Sequence, residues 1–259
     1  MSASGYPFRT YLRLTWLVTS LALLLVLLVP AQLIVPGIAP RQKSLLPQLF
    51  HRCLLALLGI RLIVRGAPAR NGTLYVANHV SWTDILLLGA RIKGSFVAMA
   101  EVRGWPAIGW LARLQGVIFV DRERMREAGG QAAVISARLA DDDGVILFAE
   151  GRTSNGAGVL PFKSALFAAV DKAPDARIQP VSIAYTRLGD RRLAPAERAE
   201  VAWIGEMSLG KHLFRLLGQP RLTAELSFHP PVHQRDFADR KALARHCQEA
   251  VACGLESGA

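Results

Sequence analysis

Ala77-Asn78-His79-Val80-Ser81-Trp82-Thr83-Asp84 separates two apolar runs of different character. The run before it, Thr73 to Ala77, reads as a buried strand, and the run after it, Ile85 to Ala90, as an apolar helix. Residues five apart lie on roughly opposite sides of a regular helix or strand, so His79 and Asp84 can meet only across a turn. A strand-to-helix turn supplies one. Thr83 or Ser81 can cap the helix, Asp84 falls in its first turn, and His79 stands on the loop within reach. A carboxylate that holds one imidazole nitrogen leaves the other free as a general base. The same spacing is met equally by an Asp84 that only stabilises the helix start, with His79 packed nearby.

Outward from this turn, β-rich runs alternate with helical patterns. Strands are expected at 61–64, 73–77, 96–98, 117–120, 145–149, 178–185, 201–204 and 222–228. Helices are expected at 85–90, 106–114, 124–140, 163–171 and 236–255. That alternation predicts an α/β fold with a mixed, mostly buried sheet flanked by helices. No repeat or long linker divides 61–259, which is read as one catalytic domain.

Residues 1–60 read differently. No charge falls between Arg13 and Arg41, and Leu14 to Val35 is dominated by Leu and Val. Twenty-two helical residues reach about 33 Å, close to the hydrocarbon thickness of a bilayer. A spanning helix is expected, with Pro30 and Pro36 leaving a re-entrant or interfacial element as the alternative. Ser44 to Ile60 follows as an amphipathic helix. Leu45, Leu46, Leu49, Phe50, Cys53, Leu54, Leu57 and Leu58 lie at helical spacing, Gln48, His51 and Arg52 lie opposite, and Ser44 is placed to cap. Residues 1–60 are therefore read as a membrane anchor. More positive charge follows the apolar run than precedes it, which puts the rest of the chain on the cytoplasmic side of the cell inner membrane.

The charge total fits that reading better than a nucleic-acid one. Of 259 residues, 31 are Lys or Arg and 20 Asp or Glu, a net charge of +11. No acidic residue precedes Asp84, while eight cations, Arg9 to Arg70, lie around the apolar segment. Anionic lipid head groups explain this distribution, and no nucleic-acid-binding motif accompanies it. Three scattered cysteines without a C-x-x-C pair argue against a disulfide framework or a zinc site. Neither a metal nor a bound cofactor is expected.

Four blocks follow in order: Asn78 to Asp84; Gly116-Val117-Ile118-Phe119-Val120-Asp121-Arg122; Phe148-Ala149-Glu150-Gly151-Arg152-Thr153-Ser154; and Ile178-Gln179-Pro180-Val181-Ser182-Ile183. Together they resemble the glycerolipid acyltransferase family, in particular the lysophosphatidic acid acyltransferases. The resemblance implies a glycerol-3-phosphate acyltransferase-like fold. It also implies transfer of a fatty acyl group from an acyl carrier protein or coenzyme A thioester to the free hydroxyl of a lysophospholipid. By that resemblance His79 takes the hydroxyl proton, Asp84 orients it, and Arg122 helps bind phosphate. Glu150, Gly151, Arg152, Thr153 and Lys163 would complete the substrate-binding set. The family's usual E-G-T-R order appears here as Glu150-Gly151-Arg152-Thr153, with the arginine displaced by one position. The expected acceptor is lysophosphatidate, with another lyso-lipid such as lyso-ornithine lipid as the alternative. A non-catalytic basic membrane-binding protein is the reading from another class.

Overall fold

The computed structural model describes residues 7–38, 44–69, 72–121, 130–205 and 207–257. Its centre is a mixed sheet of nine strands: β1 (Ile60–Arg65), β2 (Thr73–Ala77), β3 (Gly94–Met99), β4 (Ile118–Val120), β5 (Gly144–Phe148), β6 (Arg177–Leu188), β7 (Arg191–Arg192), β8 (Leu222–Phe228) and β9 (Val232–His233). The order across it is β1-β8-β6-β2-β5-β3-β4, with β7 and β9 paired to β6. Strands β6, β2, β5, β3 and β4 run parallel, while β8 lies antiparallel to β6.

Among the described residues seven α-helices accompany the sheet: α1 (Phe8–Ile38), α2 (Leu45–Leu58), α3 (Thr83–Gly89), α4 (Ile108–Leu114), α5 (Gly130–Ala140), α6 (Leu209–Gly218) and α7 (Arg240–Ser257). Successive residues of β2 feed two cores, as the pleat demands. Tyr75 and Ala77 pack with Leu55 and Leu58 of α2, Leu86 to Leu88 of α3, and Leu216 and Leu217 of α6. Leu74 and Val76 pack with Ile135 and Leu139 of α5 and with Leu243, Cys247 and Val251 of α7. The strand is buried along its whole length, which is why it reads as a continuous apolar run rather than an alternating one.

The expected strand at 201–204 is not formed: Val201 is a turn and 202–204 is irregular. The Trp203 amide bonds instead to the Val80 carbonyl at 2.9 Å, so β-prone residues serve the loop that carries His79. The expected helix at 163–171 is reduced to two single turns of 3-10 helix, Ser164–Phe167 and Val170–Lys172. Ser136 draws off the Ala169 carbonyl at 2.7 Å, and Pro161 and Pro174 bracket the segment. Helix α6, β7 and β9 were not anticipated. Of the expected helix at 124–140, residues 130–140 form α5 and the remainder lies outside the described residues.

The two expected N-terminal helices are both formed. Helix α1 is continuous through Pro30 and is long and apolar enough to cross a membrane by length and composition. Both ends are docked on the rest of the molecule. Arg13 donates to the carbonyls of Leu217 (2.5 Å), Gln219 (2.8 Å) and Leu58 (3.3 Å). Near the other end Gln32 is buried and lines a 220 Å³ chamber with Gln48, His51, Gly94 and Phe96. The faces of α2 are mixed rather than segregated: Gln48 and His51 are buried beside Leu55 and Leu58, Arg52 is exposed, and Leu45 and Leu49 are 43% and 45% exposed. Ser44 precedes α2 in a helical conformation and its side chain makes no cap bond.

Candidate active site

Parallel strands present their carboxyl ends to one edge of a sheet, and that edge is where α/β folds gather ligands. Here His79 follows β2, Asp121 follows β4 and Glu150 follows β5, so three sequence blocks converge by topology. The fourth block is β6 itself, and it anchors the first: the Asn78 side chain donates to the Ile183 carbonyl at 3.0 Å and accepts from the Ile183 amide at 2.8 Å.

The turn after β2 brings His79 Nδ1 to 2.8 Å from Asp84 Oδ2. The same oxygen accepts the amides of Val80 (2.6 Å) and Ser81 (2.8 Å). Asp84 thus ties the loop back onto the helix start. The proposed cap residues do little of this work: Trp82 occupies the cap position without a side-chain cap bond, and the Thr83 amide reaches Ser81 Oγ at 3.5 Å. The other carboxylate oxygen, Oδ1, accepts Tyr185 O–H at 2.6 Å, and Thr83 Oγ1 lies 2.5 Å from that phenol. Burial first, and then the Asp84 carboxylate, hold Tyr185 well above the usual phenol range, so it stays a donor.

An ionised carboxylate only accepts, so Nδ1 is the donor to Asp84 and Nε2 is the ring nitrogen left to serve as a base. The Asp84 side chain is fully buried, whereas the imidazole is 16% exposed. A base that meets solvent and an orienting carboxylate that does not is the arrangement proton abstraction from a bound alcohol needs. Phe148 stacks on the imidazole with ring centroids 3.8 Å apart and planes 13° apart, which fixes the ring's plane.

Glu150 is buried to 1% exposure, and neither carboxyl oxygen has a hydrogen-bond partner among the described residues. Burial pushes its pKa up to about 8; the nearby Leu160 and His79 amides and the Ser154 hydroxyl offset part of this, and the Asp84 charge adds to it. Gly151 sits at φ 69°, where a side chain is strained, and an added Cβ would lie 2.9 Å from Lys163 Nζ. The lysine stem therefore lies across the glycine, with its residue exposed. Thr153 is half-buried and Arg152 exposed, and Arg152 has no ion-pair partner among the described residues. Lys163 precedes a 3-10 turn rather than opening the expected helix. Arg122 lies outside the described residues.

Three contributors were not singled out from sequence: Tyr185, Phe148 and the Asn78 side chain. Tyr185 stands two residues beyond Ile183 on the same strand, a period-two signal. No local pattern pairs it with Asp84, which is 101 residues away.

The acyltransferase family model matches residues 61–184. The lyso-ornithine lipid O-acyltransferase of Brucella abortus is 37% identical over 95% of this chain and 95% of its own length. That of Rhodobacter capsulatus is 39% identical over 85% of this chain and 78% of its own. The 1-acyl-sn-glycerol-3-phosphate acyltransferase of Neisseria meningitidis is 34% identical over 77% of this chain and 76% of its own. The fold resembles the crystal structure of the 1-acyl-sn-glycerophosphate acyltransferase of Thermotoga maritima, with a TM-score of 0.69 at 22% identity over 96% of this chain and 97% of that one. By this extent of likeness to its relatives, the chain belongs to the acyltransferase family whose members are O-acyltransferases of lysolipids.

Proposed function

We propose that this protein esterifies the free hydroxyl of lyso-ornithine lipid with a fatty acyl group from an acyl carrier protein or coenzyme A thioester. The observation that carries the chemistry is the solvent-reached His79 imidazole held by the buried Asp84 carboxylate. His79 Nε2 accepts the hydroxyl proton as the alcohol oxygen attacks the thioester carbonyl. The tetrahedral adduct collapses, the C–S bond breaks, and the thiolate leaves and is protonated. A thiol pKa of about 8.5 makes that departure easy, so no enzyme nucleophile is required.

Acceptor choice rests on two supports. The relatives with 37–39% identity named above are lyso-ornithine lipid O-acyltransferases. The arginine of the third block is displaced to position 152, where it is exposed. An ornithine head group carries an amine and a carboxylate but no phosphate, so it does not call for a phosphate clamp at the usual position. Lysophosphatidate is the second reading, favoured by the Neisseria relative and by Arg122. Under it, Arg122→Ala weakens use of phosphate-bearing acceptors selectively. Purified protein given each acceptor side by side, with His79→Ala as control, tests both readings. Preference for lyso-ornithine lipid is expected, and a preference for lysophosphatidate would displace the first reading. Undiminished transfer by His79→Ala would remove the mechanism.

We place the protein at the cell inner membrane with residues 61–259 on the cytoplasmic side. Because α1 is docked at both ends, we place it within one leaflet, its exposed face of Leu23, Val26, Leu27, Leu33 and Ile34 toward lipid.

A further inference from the structure

Arg103-Gly104-Trp105-Pro106-Ala107-Ile108-Gly109-Trp110 leads from the 3-10 turn after β3 into the first turn of α4, and every residue in it except Gly109 is exposed. Trp105, Ile108 and Trp110 are 39%, 37% and 46% exposed, a dense apolar tip for a surface loop. The loop is built to hold its shape. Ala107 adopts φ 58°, a strained conformation for a residue with a Cβ. Gly109 packs so closely on the Arg103 carbonyl that a side chain there would overlap it.

Its place in the fold is equally specific. Strand β3 runs parallel to β5 and β2, so the loop leaves the sheet at the edge where His79 and Glu150 stand. Trp105 meets Trp203 edge to face at 6.3 Å, and the Trp203 amide is bonded to Val80, the neighbour of His79. Beside Trp203, Ile204 is 39% exposed. Arg103 and Arg113, both exposed, flank the tip without ion-pair partners among the described residues, against the single acidic Glu101. Indoles settle at the head-group level of a bilayer, and guanidinium groups bind lipid phosphates there.

We propose that the 103–110 loop is a second bilayer contact, separate from α1, that seats Trp105, Ile108 and Trp110 among the head groups of an anionic leaflet beside His79. The site mouth is thereby held against the surface from which a lipid acceptor arrives, whichever lyso-lipid that is.

The full chain, reconstituted in vesicles of equal parts phosphatidylglycerol and phosphatidylcholine with brominated acyl chains, tests this by tryptophan quenching. Wild type is expected to be quenched more than Trp110→Phe, the difference reporting Trp110 alone. Equal quenching, or Trp110 shielded from aqueous iodide without quenching by bromine, would overturn the proposal, the latter in favour of a protein partner. In parallel, Ile108→Glu combined with Trp110→Glu is expected to raise KM for a vesicle-borne lyso-lipid about tenfold, with short-chain monomeric acceptor used as by wild type. Unchanged use of the vesicle-borne acceptor, or equal loss on both acceptors, would also overturn it. The quenching result stands independently of catalysis, so a failure of the acyl-transfer reading is distinguishable from a failure of this one.

Discussion

At the scale of single residues the chemistry rests on the bonds that converge on Asp84. Replacing Asp84 by Asn keeps the shape but removes the charge that orients His79, and a fall in kcat of roughly 10²–10⁴ is predicted. Tyr185→Phe removes one donor to a buried carboxylate without leaving a cavity. It is predicted to lower kcat about tenfold with little change in KM, a bond to a charged group being worth about 1.5–3 kcal/mol. Steady-state kinetics of both variants separate orientation from substrate binding. Glu150 predicts a pH effect of definite sign. Its pKa rises from 4.5 to about 8 in the folded protein, so folding favours the protonated form. Its contribution is fully present below about pH 4.5 and is lost as pH rises through about 8. Glu150→Gln lacks this loss, and its melting temperature relative to wild type is predicted to climb across that window. A difference that stays flat with pH would show that the carboxyl titrates normally.

At the scale of elements, local pattern succeeded where burial and periodicity agree. Strands β2 and β8 match their expected limits because β2 is a buried, nearly continuous apolar run and β8 alternates Leu222, Ala224, Leu226 and Phe228 with polar residues. The 163–171 helix and the 201–204 strand failed because tertiary hydrogen bonds claimed their backbone. Helix α2 shows a deeper ambiguity: its pattern has two faces but does not say which one is wet. Gln48 and His51 share the inward side with Leu55 and Leu58 while Leu45 and Leu49 stay exposed, and burial lowers the His51 pKa to about 4. His51 lies against Gly89 of α3 with no room for a Cβ between them. Gly89→Ala is therefore predicted to destabilise the protein by about 1–3 kcal/mol, measurable as a lowered melting temperature in detergent.

At the scale of the whole molecule, α1 and the sheet are one body. Arg13 joins α1 to α6 and to the end of α2 through three carbonyls. Arg13→Ala is predicted to lower the melting temperature, a loss of about 1–3 kcal/mol, while the protein stays in the membrane fraction. The one-leaflet placement predicts that a cysteine introduced at Ser4, ahead of α1, is labelled from the same side of the membrane as the C-terminus. Labelling from the opposite side would restore a spanning helix.

The sequence alone determined the α/β class and the apolar N-terminal helix and set His79 and Asp84 within reach of each other, because each rests on short-range spacing or on the length of an apolar run; their hydrogen bond was settled by the structure. The sheet order, the Tyr185 and Asn78 anchors, the inward face of α2 and the docking of both ends of α1 were decided only in three dimensions. Each joins residues distant in the chain or depends on which surface meets lipid, and neither circumstance leaves a periodic trace.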